Sequence, residues 1–212
     1  MQTIPIPVAR NFVSGQFQPA NGKSLEVISP LDGSTISTVP LSDKTALAEA
    51  VASAQAAFPT WSQQTLKDRV QVFFKFRNLL EINKKELAEL VRLENGKTLG
   101  EAEAEVLKGI ELCEFACSLP QILSDEIQEV SKGVECRTSH VPLGVVASIV
   151  PFNFPFMVPL WTIPNAIALG NCMILKPSEQ VPLSSQRIAE MLKEAGLPDG
   201  VFNIVNGDKD MV

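Results

Sequence analysis

The stretch from residue 141 to residue 175 contains no charged side chain, and this sets the strongest limit on how the 212-residue chain can fold. It is longer than the roughly 20 residues that a membrane-spanning helix needs, so hydropathy alone predicts a span. Prolines and asparagines argue against that interpretation, because proline removes a backbone donor and an amide is costly in hydrocarbon. We therefore expect a protein core and no membrane partner. The residues concerned are Pro151, Pro155, Pro159, Pro164, Asn153, Asn165 and Asn171.

The order of sequence patterns from residue 143 onward predicts an α/β fold. LGVVASIV is a nearly continuous apolar run, as expected for a strand that is buried on both faces of a parallel sheet. A helix-length segment follows it to Asn171, and then come a second buried strand (CMILKP), an amphipathic helix and a third strand (VFNIV). This alternation is typical of doubly wound nucleotide-binding folds. Residues 143–212 are thus expected to form the first part of an incomplete, Rossmann-like parallel sheet.

Residues 1–125 are predicted to form an N-terminal β layer followed by a layer of helices. Asn21-Gly22 and Asp32-Gly33 favour positive φ and close hairpins, so short strands are expected between Asn11 and Pro40. Apolar residues then recur at helical spacing as far as the middle of the chain. Capping patterns predict helix starts at Ser42 or Asp43, Thr65, Asn83 and Thr98, and helix ends at Asn95-Gly96 and Pro120.

Residues 126–142 are predicted to form a projecting β-hairpin arm. Two extended segments flank Lys132-Gly133, and polar residues occupy both faces of the second segment. A strand of that kind often projects from the body of a protein. The arm is therefore a candidate oligomerisation surface, and a simple solvated hairpin is the alternative.

Composition and charge exclude several kinds of partner and site. The net charge of −6 and the isoelectric point of about 4.9 repel phosphate backbones and anionic lipid, so no nucleic acid is expected. The first residues lack a secretory signal, which predicts a cytoplasmic protein. His140 is the only histidine and no C-x-x-C pattern occurs, so no metal site is expected. Reduced thiols are expected at Cys113, Cys117, Cys136 and Cys172.

Polar side chains follow two neighbouring strands of the predicted sheet. Asn153 comes just after the first strand, where core packing does not explain an amide, and Lys176 and Glu179 follow the second. Ligands of open α/β sheets bind beyond the carboxyl ends of the strands, so these groups are candidates for one binding site. For Lys176 and Glu179 the alternative is a surface ion pair of little energetic value.

Four motifs resemble the aldehyde dehydrogenase superfamily: ENGKTLGEAEAEV, PFNFP, GNCMILKPSE and GLPDGVFNIVNG. The match runs in order along nearly the whole chain, and PFNFP with MVPLW is similar to the methylmalonate-semialdehyde dehydrogenase branch. The resemblance implies an NAD-dependent oxidation of a small aldehyde that acylates coenzyme A. A cysteine would attack the aldehyde, hydride would pass to NAD, and the thioester would be released to coenzyme A. It also implies a homo-oligomer, a dimer or a tetramer.

The resemblance assigns roles to individual residues. Asn153 matches the amide that stabilises the oxyanion of the family's hemithioacetal. Glu179 would accept both hydroxyls of the adenosine ribose and repel a 2′-phosphate, which predicts NAD over NADP. Gln180 and Lys108 stand where relatives often have arginine, and Lys108 is the candidate contact to a substrate carboxylate. The cofactor-binding candidates are Ile149, Val150, Pro151, Phe152, Lys176, Ser178, Glu179 and Gln180.

Several parts of the family's machinery are expected to follow Val212: the nucleophilic cysteine, the general-base glutamate and the glycine-rich cofactor loop. Cys113, Cys117 and Cys172 are expected to be inert packing residues, because reactive thiols need an exposed, electropositive setting. We therefore expect the N-terminal part of a longer enzyme, or a truncated gene product, which alone is inactive and binds NAD weakly. A non-catalytic nucleotide-binding or assembly module and a membrane-associated protein are the competing hypotheses.

Overall fold

The protein, a computed structural model that describes residues 8–19 and 22–211, contains β-strands and α-helices along the whole of its described length. The first half contains β1 (Phe12–Val13), β2 (Gln16–Phe17), β3 (Ser24–Ile28), β4 (Thr35–Pro40), α1 (Lys44–Ser62), α2 (Leu66–Ile82), α3 (Lys84–Asn95) and α4 (Leu99–Ile122). The second half contains β5 (Glu126–Ser131), β6 (Val134–Thr138), β7 (Val145–Ile149), α5 (Met157–Ala168), β8 (Cys172–Lys176), α6 (Leu183–Glu194) and β9 (Phe202–Ile204), before a short turn of 3-10 helix at Lys209–Met211.

A five-stranded sheet in the order β2-β1-β9-β8-β7 forms the centre of the fold. β7, β8 and β9 are parallel neighbours, whereas β1 joins β9 in the antiparallel sense. On one face, Ala50 of α1 packs in a cluster with Ile174 and Val205. On the other face, Met173 and Leu175 belong to the large core that α2, α4, α5 and α6 complete. This arrangement confirms the predicted α/β fold with helices on both faces of a parallel sheet.

β7 differs from the prediction because it is not buried on both faces. It pairs with β8 alone among the described strands, so it forms an edge of the sheet. Val145 packs against the cluster that contains Ala50 of α1. Ala147 and Ile149 lie on the same face of β7 but are exposed. The side chain of Ile149 is 56% accessible to solvent. A continuous apolar run therefore indicated a strand correctly, but not the position of that strand within the sheet.

The N-terminal strands do not form the single layer that was predicted. β3 and β4 make a separate two-stranded sheet whose connection contains Gly33 at φ 76°, as expected for Asp32-Gly33. β1 and β2 instead extend the central sheet, and the turn between them uses Ser14 and Gly15 at φ 52° and 72°. That turn was not predicted. Asn21 lies outside the described residues, and the described strands before and after it, β2 and β3, belong to different sheets.

The predicted helix caps are largely confirmed. The side chains of Asp43 and Thr65 accept backbone N–H groups of α1 and α2, and Thr98 forms a reciprocal capping box with Glu101. Gly96 ends α3 in the left-handed conformation.

One predicted cap and one predicted helix end differ from the structure: α3 begins after Asn83, as predicted, but has no side-chain cap, and α4 does not end at Pro120. The amide of Asn83 donates to Leu79 O at 2.8 Å, so it closes the last turn of α2 and does not cap α3. Pro120 does not stop α4, which continues to Ile122. Leu119 is buried beside it, and packing of that last turn outweighs the loss of one backbone donor.

The β5–β6 hairpin projects from the body of the protein, as predicted. All of its residues are exposed, including Ile127, Val130 and Val134, and Gly133 provides the positive φ at its tip. In the described part of the chain, no helix is long and apolar enough to cross a membrane.

Candidate functional site

The carboxyl ends of β7 and β8 lie level with each other. Ile149 pairs with Lys176 in the parallel register, and Val150 N donates to Lys176 O at 3.1 Å just beyond it. The loops that lead into α5 and α6 therefore leave the sheet at the same edge. Polar residues on these two loops are brought together by backbone pairing, as the sequence predicted.

Asn153 lies on the first of these loops and is exposed. It lines a cavity of about 730 Å³ together with Phe152, Glu179 and Gln180. Among residues 8–19 and 22–211, none forms a hydrogen bond with the Asn153 carboxamide. The amide can therefore donate to a ligand in the cavity without first losing a protein partner. The cavity is completed by Leu25, Glu26, Ile28, Pro30, Glu94, Asn95 and Val181.

Lys176 and Glu179 form the ion pair that their spacing suggested, with 3.1 Å between Lys176 Nζ and Glu179 Oε2. The lysine side chain is 11% exposed and the glutamate side chain 31%. Glu179 therefore keeps part of its carboxylate accessible at the cavity. Ser178 is buried, and its hydroxyl accepts the backbone N–H of Gln180 at 3.3 Å, which shapes the turn that presents Glu179.

The four cofactor-binding candidates from Ile149 to Phe152 divide into two groups. Ile149, Pro151 and Phe152 are exposed at the sheet edge. Val150 is 6% exposed and belongs to the large core, so its side chain points away from solvent. A ligand at this edge can contact Val150 only through its backbone.

Three polar side chains that were not predicted from the sequence bind the Asn153 loop on the side of α3 and α4. Asn95 Nδ2 donates to Phe152 O at 2.8 Å, and Lys97 Nζ donates to Asn153 O at 2.7 Å. Glu105 accepts a hydrogen bond from Lys97 and is buried. A signal was present, because Glu105 interrupts the apolar stripe of Ala102, Val106 and Gly109 on α4.

Glu94 holds the second loop, between β8 and α6, in a similar way. Its carboxylate is buried and accepts the backbone N–H groups of Leu183 and Ser184 at 2.8 and 2.9 Å, at the start of α6. The Ser184 hydroxyl donates to it as well. Burial raises the pKa of Glu94 to about 7, although these hydrogen bonds favour the anion.

Lys108 is not brought to this cavity. It lies on the exposed face of α4, where its ammonium pairs with Glu111, and it does not line the cavity. No cysteine of the described chain lines the cavity either. Cys113, Cys117 and Cys172 are buried and Cys136 is on the projecting hairpin; burial raises the pKa of Cys172 to about 11.

A family model described as the aldehyde dehydrogenase family matches residues 17–212. The chain belongs to the aldehyde dehydrogenase family. Malonate-semialdehyde dehydrogenase 2 of Bacillus mycoides (strain KBAB4) is 46% identical over 209 residues, which are 98% of this chain and 43% of that protein. The chain therefore spans less than half the length of the curated relatives that it matches.

Solved structures support the same assignment. The crystal structure of methylmalonate-semialdehyde dehydrogenase from Oceanimonas doudoroffii superimposes with a TM-score of 0.93 at 43% identity, covering 96% of this chain and 42% of that one. A candidate methylmalonate-semialdehyde dehydrogenase from Sinorhizobium meliloti 1021, solved in complex with NAD, gives 0.93 at 40% identity, covering 99% and 43%. The resemblance drawn from the four motifs is thus confirmed at the level of the family.

Proposed function

We propose that this chain supplies the oxyanion-stabilising amide and part of the NAD site of a coenzyme A-acylating aldehyde dehydrogenase. The observation that carries the proposal is the exposed carboxamide of Asn153, which has no hydrogen-bond partner among the described residues and lines a cavity that Glu179 also lines. Family membership supplies the reaction class.

Asn153 acts on the substrate oxygen in this proposal. When a thiolate adds to an aldehyde, the carbonyl oxygen gains negative charge, and an N–H donor aimed at it stabilises the transition state. The amide is neutral at every pH of interest, so it donates without a competing proton transfer. Its backbone is fixed by Asn95 and Lys97, which reduces the reorganisation needed during the reaction.

The residues at the sheet edge fit one part of NAD. The accessible carboxylate of Glu179 can accept ribose hydroxyls, with Lys176 holding it in place, and the exposed Ile149, Pro151 and Phe152 offer an apolar wall for a flat ring. The turns at residues 150–156 and 177–182 contain no glycine, so they do not form a pyrophosphate cradle. When bound, the cofactor supplies a hydride acceptor.

Ser178, Gln180 and Val150 have supporting roles in the proposed cofactor site. Ser178 fixes the turn before Glu179, and Val150 contributes backbone alone. Gln180 is exposed and neutral, so it can offer hydrogen bonds but no positive charge to the adenosine end. The partly accessible Glu179 carboxylate beside the ribose favours NAD over NADP, because a 2′-phosphate would be repelled.

The nucleophile is proposed to come from outside this chain. None of the four cysteines lines the cavity, so the chain alone should not oxidise aldehydes. Malonate or methylmalonate semialdehyde is the proposed substrate, after the names of the relatives, with coenzyme A as the acyl acceptor. Lys108 remains the proposed contact to the substrate carboxylate, and its ammonium must first separate from Glu111.

A chimeric enzyme tests the proposal. This chain would replace the aligned residues of the Bacillus mycoides relative, and NADH formation would be followed with malonate semialdehyde, NAD and coenzyme A. Asn153→Ala and the isosteric Asn153→Asp should lower kcat about 100- to 1000-fold. Gln71→Ala, which removes an exposed amide on α2, is the matched control and should leave kcat unchanged. Full kcat in both Asn153 variants, or comparable efficiency with NADP, would contradict the assignment.

The β5–β6 hairpin is proposed as the oligomerisation arm of the parent enzyme. It exposes Ile127, Val130 and Val134, each more than half accessible to solvent. Light scattering on the chimera should show a dimer or a tetramer, and Val134→Lys should shift the population toward smaller species. An unchanged mass in that variant would leave the hairpin as a solvated arm.

A further inference from the structure

We propose that Lys97 and Glu105 form a latch that positions the Asn153 loop, and that they act through this loop without touching substrate. The inference rests on the proposed function for its meaning in catalysis. The geometry of the latch depends only on contacts within this chain.

Glu105 fixes the far end of the loop. One carboxylate oxygen accepts the backbone N–H groups of Phe156 and Met157 at 2.9 and 3.1 Å. These residues start α5, which has no side-chain cap of its own. The Glu105 side chain is 1% exposed, so water does not replace it as an acceptor. A buried carboxylate on α4 therefore decides where α5 begins.

Lys97 fixes the middle of the loop. Its ammonium pairs with the second oxygen of Glu105 and donates to the carbonyl oxygen of Asn153 at 2.7 Å. It also lies 3.9 Å from the centre of the Phe154 ring. The Lys97 side chain is 16% exposed, so these contacts form in a partly desolvated setting. One ammonium thus joins the buried carboxylate to two consecutive loop residues.

The latch sets the direction of the Asn153 carboxamide. Residues 151–155 belong to no helix or strand, so the peptide planes around Asn153 depend on side-chain contacts. Holding the Asn153 carbonyl fixes the plane on one side of its Cα, and the Asn95 bond to Phe152 O fixes the plane on the other. The Asn153 carboxamide then has no hydrogen-bond partner among the described residues, while the backbone that carries it is held in place. Preorganisation of this kind is what an oxyanion donor requires.

Amide NMR of the whole chain tests the latch without any catalytic assay. The side-chain and backbone signals of Asn153 would be assigned by comparison with Asn153→Asp. Lys97→Met and Glu105→Gln should both shift these signals. Lys84→Met is the matched control, because it removes an equally charged lysine from an exposed pair with Glu81 and should leave Asn153 unmoved.

A double variant keeps the test decisive if a single variant fails to fold. Lys97→Met alone leaves a buried carboxylate without its cation, whereas Lys97→Met with Glu105→Gln removes both charges. The double variant should also shift the Asn153 signals, and the upfield displacement of the Lys97 side-chain protons by the Phe154 ring should vanish in Phe154→Leu. Unmoved Asn153 signals in the folded double variant would overturn the latch. Failure of the chimera to use Asn153 would instead overturn the proposed function and leave the latch intact.

Discussion

Glu94 makes the chain less stable as the pH rises, because its pKa is raised on folding. A carboxylate whose pKa is lowered on folding has the opposite effect. Burial raises the pKa of Glu94 from 4.5 to about 7 in the folded chain. The folded state therefore binds a proton more tightly than the unfolded state does, and stability falls as pH rises between these two values. A shift of this size corresponds to about 3 kcal/mol, present in full below pH 4.5 and lost once the pH exceeds 7.

Urea unfolding at a series of pH values measures this contribution. Glu94→Gln is neutral throughout, so the difference in unfolding free energy between the wild type and this variant should change by about 3 kcal/mol between pH 4.5 and pH 8. The unfolding free energy of the wild type falls relative to that of the variant as the pH rises. Gln71→Ala, which removes an exposed amide and no titratable group, is the control and should give a difference that does not depend on pH. Parallel pH profiles for wild type and Glu94→Gln would refute the reasoning.

Two further predictions concern packing and thiol access. A Cβ on Gly109 would lie 2.7 Å from the buried ring of Phe156, so Gly109→Ala should destabilise the chain by about 1–3 kcal/mol in urea unfolding. Gly100→Ala, on the same helix in open space, should stabilise by up to about 1 kcal/mol, and a loss there equal to that of Gly109→Ala would exclude the packing argument. An aromatic disulfide reagent should label Cys136 alone in the native chain, because the other three thiols are buried; rapid labelling of all four before unfolding would contradict the described burial.

Features that depend on neighbouring residues in the sequence were predicted well. The capping box at Thr98 and Glu101, the cap at Asp43 and the left-handed Gly96 each involve groups within three or four residues of one another. The edge that brings Asn153 and Glu179 together was predictable for a similar reason, because parallel strands with short loops place their ends side by side.

Features that depend on distant residues were missed or predicted wrongly. The position of β7 at the sheet edge depends on which strands pair, and an apolar run does not contain that information. Pro120 was expected to end α4, but burial of the adjoining turn extends the helix. The roles of Glu94 and Glu105 depend on helices that begin 89 and 52 residues further along the chain. A carboxylate within an apolar stripe indicates that some partner exists, but not which one.

These two glutamates also connect the parts that the sequence suggested were separate. α5 and α6 both start at the same edge of the sheet without a side-chain cap from their own loops. Each receives its cap from a buried carboxylate on α3 or α4, in the segment that precedes the hairpin. Residues 143–212 alone would leave the first N–H groups of both helices without these acceptors, next to the very loops that carry Asn153 and Glu179. The helical layer is therefore part of the site, because Glu94 on α3 and Glu105 on α4 fix the starts of the two helices that follow its loops.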